Sequence, residues 1–221
     1  MIIKNSIILK KAFLILILFS LSQMLQAQAP IYKTWFNIGY EQKIKIKKFK
    51  FKVGISQGFR ISDIVYNQRY STFTELGISK KITKHYKLGF SYRANYLGSF
   101  RNRIALSNSF KIPIHKKVNL SFRLKYQAEF ESNKAFSQDF RLKTSLKWNA
   151  HKDYRPYIFG EILYNNTYNY SNFNQYRAGI GLSADYKKKH NFDLMLMFIQ
   201  EINLEAPRRS LVLGLEYLFI R

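Results

Sequence analysis

The chain reads as all-β: a transmembrane antiparallel up-and-down β-barrel of about 10 to 12 strands, preceded by a cleaved signal peptide. Three observations lead there. The N-terminus has the build of an export signal, a series of segments alternates apolar and polar residues over unusual lengths, and basic turns separate those segments at near-regular intervals.

At the N-terminus, Lys4, Lys10 and Lys11 precede the run Ala12 to Leu21, which is apolar apart from Ser20, and small or polar residues follow through Ala29. This is the order of a charged region, an apolar region and a cleavage region. Cleavage after Ala27 is expected, because a cut after Ala29 would put Pro30 beside the scissile bond. The chain then divides into a signal peptide, residues 1–27, and a barrel, residues 28–221. The apolar run is shorter than the roughly 20 residues of a spanning helix. Beyond Ala29 the longest apolar run is Leu194 to Ile199, so any membrane crossing must be made by strands.

The alternation is clearest from Val118 to Glu131. Val118, Leu120, Phe122, Leu124, Tyr126, Ala128 and Phe130 take the even positions, and Asn119, Ser121, Arg123, Lys125, Gln127, Glu129 and Glu131 the odd ones. A period of two is that of a strand with one apolar and one polar face. Tyr86 to Tyr96 and Gln175 to Tyr186 repeat it. Weaker versions cover Trp35 to Ile46, Phe49 to Arg60, Tyr70 to Ser79, Arg103 to Ile112, Phe140 to Trp148, Pro156 to Tyr164, Asn191 to Glu201 and Leu211 to Phe219.

Alternation alone leaves open which face is outside, since a soluble lipocalin-like barrel turns the same stripe inward. Segment length favours the membrane: soluble strands cluster near about 5 to 6 residues, whereas a tilted crossing strand needs about 9 to 11. Aromatic residues at the stripe ends, Tyr86 and Tyr96, Tyr176 and Tyr186, and Trp148, suit interfacial girdles. Such barrels usually have an even number of strands. Eleven segments are found, so either a short strand near Ile31 to Thr34 is to be added or a segment near the N-terminus does not span. The last segment, with Leu211, Leu213, Gly214, Leu215, Tyr217 and Phe219, resembles the C-terminal signal read by the barrel-assembly machinery, although the chain closes on Arg221.

Lys47-Lys48, Lys80 to His85, His115-Lys116-Lys117, His151-Lys152 and Lys187 to His190 form the basic turns and contain all 4 histidines. Short turns mark the periplasmic end of such a barrel. The connections Ile61 to Arg69, Leu97 to Asn102, Ser132 to Ser137, Asn165 to Asn174 and Asn203 to Arg209 then face outward. The Tyr- and Asn-rich stretch Tyr164 to Tyr176 is the longest candidate for surface contact.

Composition excludes several chemistries. With no Cys there is neither a disulfide framework, a thiolate metal site nor a Cys nucleophile. A formal charge of +24 points to polyanionic partners. Export, and the scatter of that charge over turns and one strand face, argue against nucleic acid and for the phosphates of lipid and lipopolysaccharide. No catalytic set, metal site or cofactor is expected. A lipid hydrolase working at the outer leaflet would lack its base, because every His falls in a turn assigned to the opposite end.

The polar faces supply the candidate interior. Arg93, Arg103, Arg123, Lys125, Glu129, Arg141, Lys143 and Arg177 are expected to line the lumen, with Lys50, Lys52, Arg60, Lys147, Glu75, Glu131, Asp139 and Asp185 on the same faces. Two interiors fit: charges that pair across strands and fill a narrow bore, or a channel favouring anions.

Arg155-Pro156-Tyr157 with Glu161, Phe173-Asn174-Gln175-Tyr176-Arg177 with Gly181, Asn191-Phe192-Asp193 after a basic turn, and Trp35 at the head of the segments carry a family likeness. Across Trp35 to Arg221 the chain resembles small outer-membrane barrels of unknown function from Gram-negative bacteria. The resemblance implies a location in the outer membrane and no catalytic residue. The expected function is that of a non-enzymatic barrel, structural or surface-exposed; the alternatives are a small anion-preferring channel and a lipid-modifying enzyme.

Overall fold

The computed structural model describes residues 30–47, 49–64, 67–97, 99–131, 136–151, 153–167 and 170–221. The signal peptide expected over residues 1–27 lies outside them. Eleven strands follow in chain order: β1 Ile31–Ile46, β2 Phe49–Ile64, β3 Asn67–Lys81, β4 Tyr86–Leu97, β5 Ser99–His115, β6 Val118–Glu131, β7 Ser137–Trp148, β8 Tyr154–Thr167, β9 Tyr170–Tyr186, β10 His190–Glu201 and β11 Arg209–Ile220. Each pairs with its sequence neighbours, and β1 meets β11 to close a barrel.

Every neighbouring pair is antiparallel except the closing one, where β1 and β11 run parallel from Ile31 opposite Ser210 to Glu41 opposite Ile220. Eleven strands fall within the expected 10 to 12, and the closing pair corrects only the expectation of an even number. An even number is required only when the seam is antiparallel; with eleven strands the first and last point the same way, and a parallel ladder closes the ring. Ile31 to Thr34 is the start of β1, not a strand of its own. The two ends of the strand array therefore lie at opposite ends of the barrel. Ile31 sits with the hairpins opposite the basic turns, whereas Arg221 bonds to β1 among those turns through Lys43 N to Arg221 O (3.1 Å) and Arg221 N to Glu41 O (2.8 Å).

The strands are 12 to 17 residues long, more than the crossing length of about 9 to 11. Followed once round the ring, their registers advance by about 14 residues, a stagger that tilts the strands and sets a backbone radius on the order of 11 Å. Large side chains fill most of such a bore. In β5 the register shifts between Pro113 and His115, where proline has no N–H to give the ladder.

Period two then decides what each face meets. Ile38, Ile55, Ile78, Phe90, Leu106, Leu124, Leu142, Ile158, Ile180, Leu196 and Leu213, one from each strand in order, all point outward and are 43–58% exposed. An apolar belt that encircles the molecule far exceeds the patches of a few hundred Å² that soluble monomers expose. The belt is the hydrocarbon-facing surface of a membrane barrel, and closure leaves no strand edge unpaired within it. Exposed aromatics end the belt on both sides: Tyr32, Tyr70 and Tyr96 toward one rim, Trp148, Tyr154 and Tyr186 toward the other.

At the basic end the turns are tight. Lys187 and Lys188 both take left-handed backbone, φ 50° and 57°, as the primed hairpin turns require. At the opposite end the connections are shorter than expected. The strand pairs continue through them: Tyr164 faces Phe173, Asn165 faces Asn172, and Thr167 faces Tyr170. Tyr164 to Tyr176 is thus mostly paired hairpin rather than loop. Between described strand ends, the longest connection at that end is 202–208.

Candidate functional site

Outside the bulged ends of β5 and β9, the odd-numbered residues of β1 and β3 to β10 and the even-numbered ones of β2 and β11 point inward, and they carry most of the charge the strands hold. Glu161 of β8 is the centre of the largest cluster. Its side chain is 3% exposed, and three arginines reach it: Arg141 Nη2 donates to Oε2 at 2.6 Å, Arg177 Nη1 to Oε2 at 3.3 Å, and Arg123 Nη2 to Oε1 at 3.3 Å. Arg123 lies on β6 and spans β7 to make this contact. Bonds of this kind between a guanidinium and a carboxylate are the strong class of hydrogen bond.

Nearer the end opposite the basic turns, Arg101 bonds Glu129 (2.8 Å) and Glu131 (2.7 Å), and Arg103 also bonds Glu129. Arg93 of β4 pairs with Glu75 of β3 at 2.5 Å. Toward the basic turns, Arg155 pairs with Asp185 and Lys52 with Glu41. Tyr157 OH donates to Asp193 Oδ1 at 2.5 Å across the intervening β9. That reach needs a smooth wall beneath it: a Cβ placed on Gly181 would stand 2.3 Å from the Tyr157 ring. Gly58 serves Phe73 in the same way, with an added Cβ at 2.0 Å.

Two cations for which no carboxylate partner is found among the described residues rest on aromatic faces. The Arg60 guanidinium lies 4.6 Å from the Trp35 ring centroid and 5.0 Å from that of Phe73, and Lys143 Nζ lies 3.8 Å from Phe159. Ring quadrupoles hold such cations in place without neutralising them.

Two interior cavities, of about 470 and 390 Å³, share Trp35, Asn37, Arg60, Arg93, Lys143, Met195 and Glu216. Nine basic side chains and four carboxylates line the larger one, which extends to Lys52 and Lys87 near the basic turns. Away from those turns the interior is packed. Gln127 and Val212 are 2% and 0% exposed, Leu163 and Ile199 are buried beside them, and Gln127 Oε1 accepts a bond from Arg141 Nη1 at 3.1 Å. An apolar wall of Phe159, Met197, Ile199 and Val212, with Trp35, Tyr157 and Met195 against it, fills the side formed by β8, β10, β11 and β1.

Of the residues expected to line the lumen, Arg93, Arg123, Lys125, Arg141, Lys143 and Arg177 line the larger cavity. Arg103 and Glu129 are not among its lining residues; they bond to each other in the packed half. Glu161, Trp35, Tyr157, Asp193 and Glu216 are absent from the expected set. The alternating position of Glu161, flanked at the same spacing by Tyr157, Phe159 and Leu163, was the signal available for it. The four histidines stand at the basic end: His85 Nδ1 meets Lys111 O at 2.9 Å, His151 lies 3.7 Å from Asp153, His190 Nδ1 meets Tyr217 OH at 2.8 Å, and His115 ends β5.

A family model described as a protein of unknown function, DUF2490, matches residues 32–209, nearly the whole strand array. The chain belongs to this family. The match meets the resemblance read from the sequence in the family's unknown function and over residues 35–209, ending at the first residue of the last strand. Comparison with the curated proteins finds no match. Among solved structures, the DUF2490 chain is similar to the β domain of the Bordetella autotransporter BrkA, with TM-score 0.56, 9% identity, and 77% of this chain and 83% of that one covered. It is also similar to a bacterial polysaccharide outer membrane secretin, with TM-score 0.51, 8% identity, and 76% and 74% covered. At such identities the likeness is one of fold: an outer-membrane-type β-barrel.

Proposed function

We propose that this DUF2490 protein is a non-enzymatic barrel of the Gram-negative outer membrane whose interior is a blind, cation-lined vestibule. The observation that carries this reading is the contrast between the two halves of the interior: cavities toward the basic turns, and a packed layer through Gln127, Leu163, Ile199 and Val212 toward the other rim. The apolar belt supports the membrane, and the fold supports the outer one. In the proposed orientation the basic turns face the periplasm, where the barrel-assembly machinery would engage the last strand, and the hairpin ends of β8 and β9 face outward. Lysines of the turns then lie near lipid phosphates, while lipopolysaccharide surrounds the opposite rim.

A second reading, a small anion-preferring channel, draws on the nine-to-four excess of basic side chains around the larger cavity. Purified protein in planar bilayers separates the two. The blind vestibule predicts no unitary conductance; stepwise, anion-selective currents that vanish when Arg123, Lys125 and Arg141 are neutralised would establish the channel instead. A lipid-modifying enzyme draws no support from the site, because the histidines gather at the periplasmic end. Lipid hydrolysis lost on replacing one of the four would reverse that judgement.

A further inference from the structure

Deepening the blind-vestibule reading, on which it rests, we infer that the larger cavity binds a small multivalent oxyanion bearing phosphate or carboxylate groups, admitted from the basic-turn end. Charge is the first reason. Glu161 is one carboxylate shared by three arginines, and among the described residues neither Lys125 nor Arg60 has a carboxylate within ion-pairing distance. Lys143 leans on a ring. Cations held in a narrow interior carry a desolvation cost that only a counter-charge offsets well.

The second reason is geometric. Arg123 and Arg141 both line the cavity, and the one carboxylate they bond among the described residues, Glu161, is shared with Arg177 as well. Guanidinium forks match the paired oxygens of phosphate and carboxylate. The uncompensated cations come from two walls, Arg60 on β2 and Lys125 and Lys143 on the neighbouring β6 and β7, so a ligand with more than one anionic group bridges what a single-charge ion cannot. On the opposite wall Glu216 of β11 lines the cavity, with Asp193 of β10 directly beside it in register, so an anion is favoured on the basic side. A volume of about 470 Å³ is in the range of small-molecule pockets and too small for a polymer.

The test uses the processed chain folded in detergent and carrying Trp148→Phe, which leaves Trp35, a cavity-lining residue, as the sole tryptophan. Titration with inorganic pyrophosphate should change its fluorescence saturably, and chloride at matched ionic strength should not. Lys125→Gln with Lys143→Gln should raise the midpoint about tenfold or more, while Lys125→Arg with Lys143→Arg should largely keep it. An unheated gel shift confirms that each variant is folded. No saturable response, or a midpoint unchanged in the glutamine variant, would overturn the proposal. So would a response only to phosphatidate-doped micelles, since a lipid headgroup would then be the ligand at the surface. Conductance in the bilayer experiment would sink the blind vestibule alone and leave this titration to decide binding.

Discussion

Arg141 and Glu161 face the barrel interior from adjacent strands, 2.6 Å apart, and the Glu161 carboxylate, its side chain 3% exposed, is shared with Arg123 and Arg177. Its removal leaves three guanidiniums together with nothing to neutralise them. Glu161→Gln should therefore destabilise the barrel by about 3 kcal/mol, the usual cost of breaking one side of a buried pair. The urea midpoint of the unheated, fast-migrating gel band reads this. Replacing Glu161 and Arg141 together by Met should cost less than Glu161→Gln; a larger cost would show the pair to be a net source of stability.

Gly58 lies under the Phe73 ring, which an added Cβ would meet at 2.0 Å. Gly58→Ala should cost about 1–3 kcal/mol through overpacking. Phe73→Leu, which shortens the side chain over that position, should recover much of the loss in the double variant. Equal urea midpoints for Gly58→Ala with and without Phe73→Leu would refute the contact.

Lys188 holds a left-handed backbone in the turn between β9 and β10, φ 57°. A side chain there costs about 1 kcal/mol that glycine avoids. Lys188→Gly should accordingly raise the unfolding midpoint, and an unchanged or lowered midpoint would mean the turn relaxes in the folded protein.

Leu106, midway along β5, is 51% exposed, and Ile112, toward the basic rim of the same strand, is 49% exposed. Exposure alone predicts equal tolerance of charge. A hydrocarbon belt predicts otherwise: Leu106→Arg should cost about 2–4 kcal/mol and Ile112→Arg about 0–1. Equal costs, measured in lipid vesicles, would remove the depth dependence.

The sequence shows the strands because the outward face is uniformly apolar, so wherever the inward face is polar the period of two stands out, as in β6. Where it fades, the inward face is apolar too. Met195, Met197 and Ile199 of β10 look inward and merge with Leu194, Leu196 and Phe198 into one unbroken run, which hides the apolar wall. Tyr157 and Phe159 similarly mask Glu161. The parallel seam has no local signal at all, because it is a consequence of strand count, and the expectation of an even count stood against it. Asn and Tyr in the β8–β9 hairpin read as loop, although cross-strand pairing continues to Thr167 and Tyr170.

The central claim is that lipid covers the apolar stripe. With no native Cys, single cysteines carrying a nitroxide can be placed one at a time along β5 from Arg103 to Ser109, and oxygen accessibility measured in lipid vesicles. The account predicts high values at Ile104, Leu106 and Asn108 and low values at Arg103, Ala105, Ser107 and Ser109. A profile with no alternation, or the reverse phase, would contradict it.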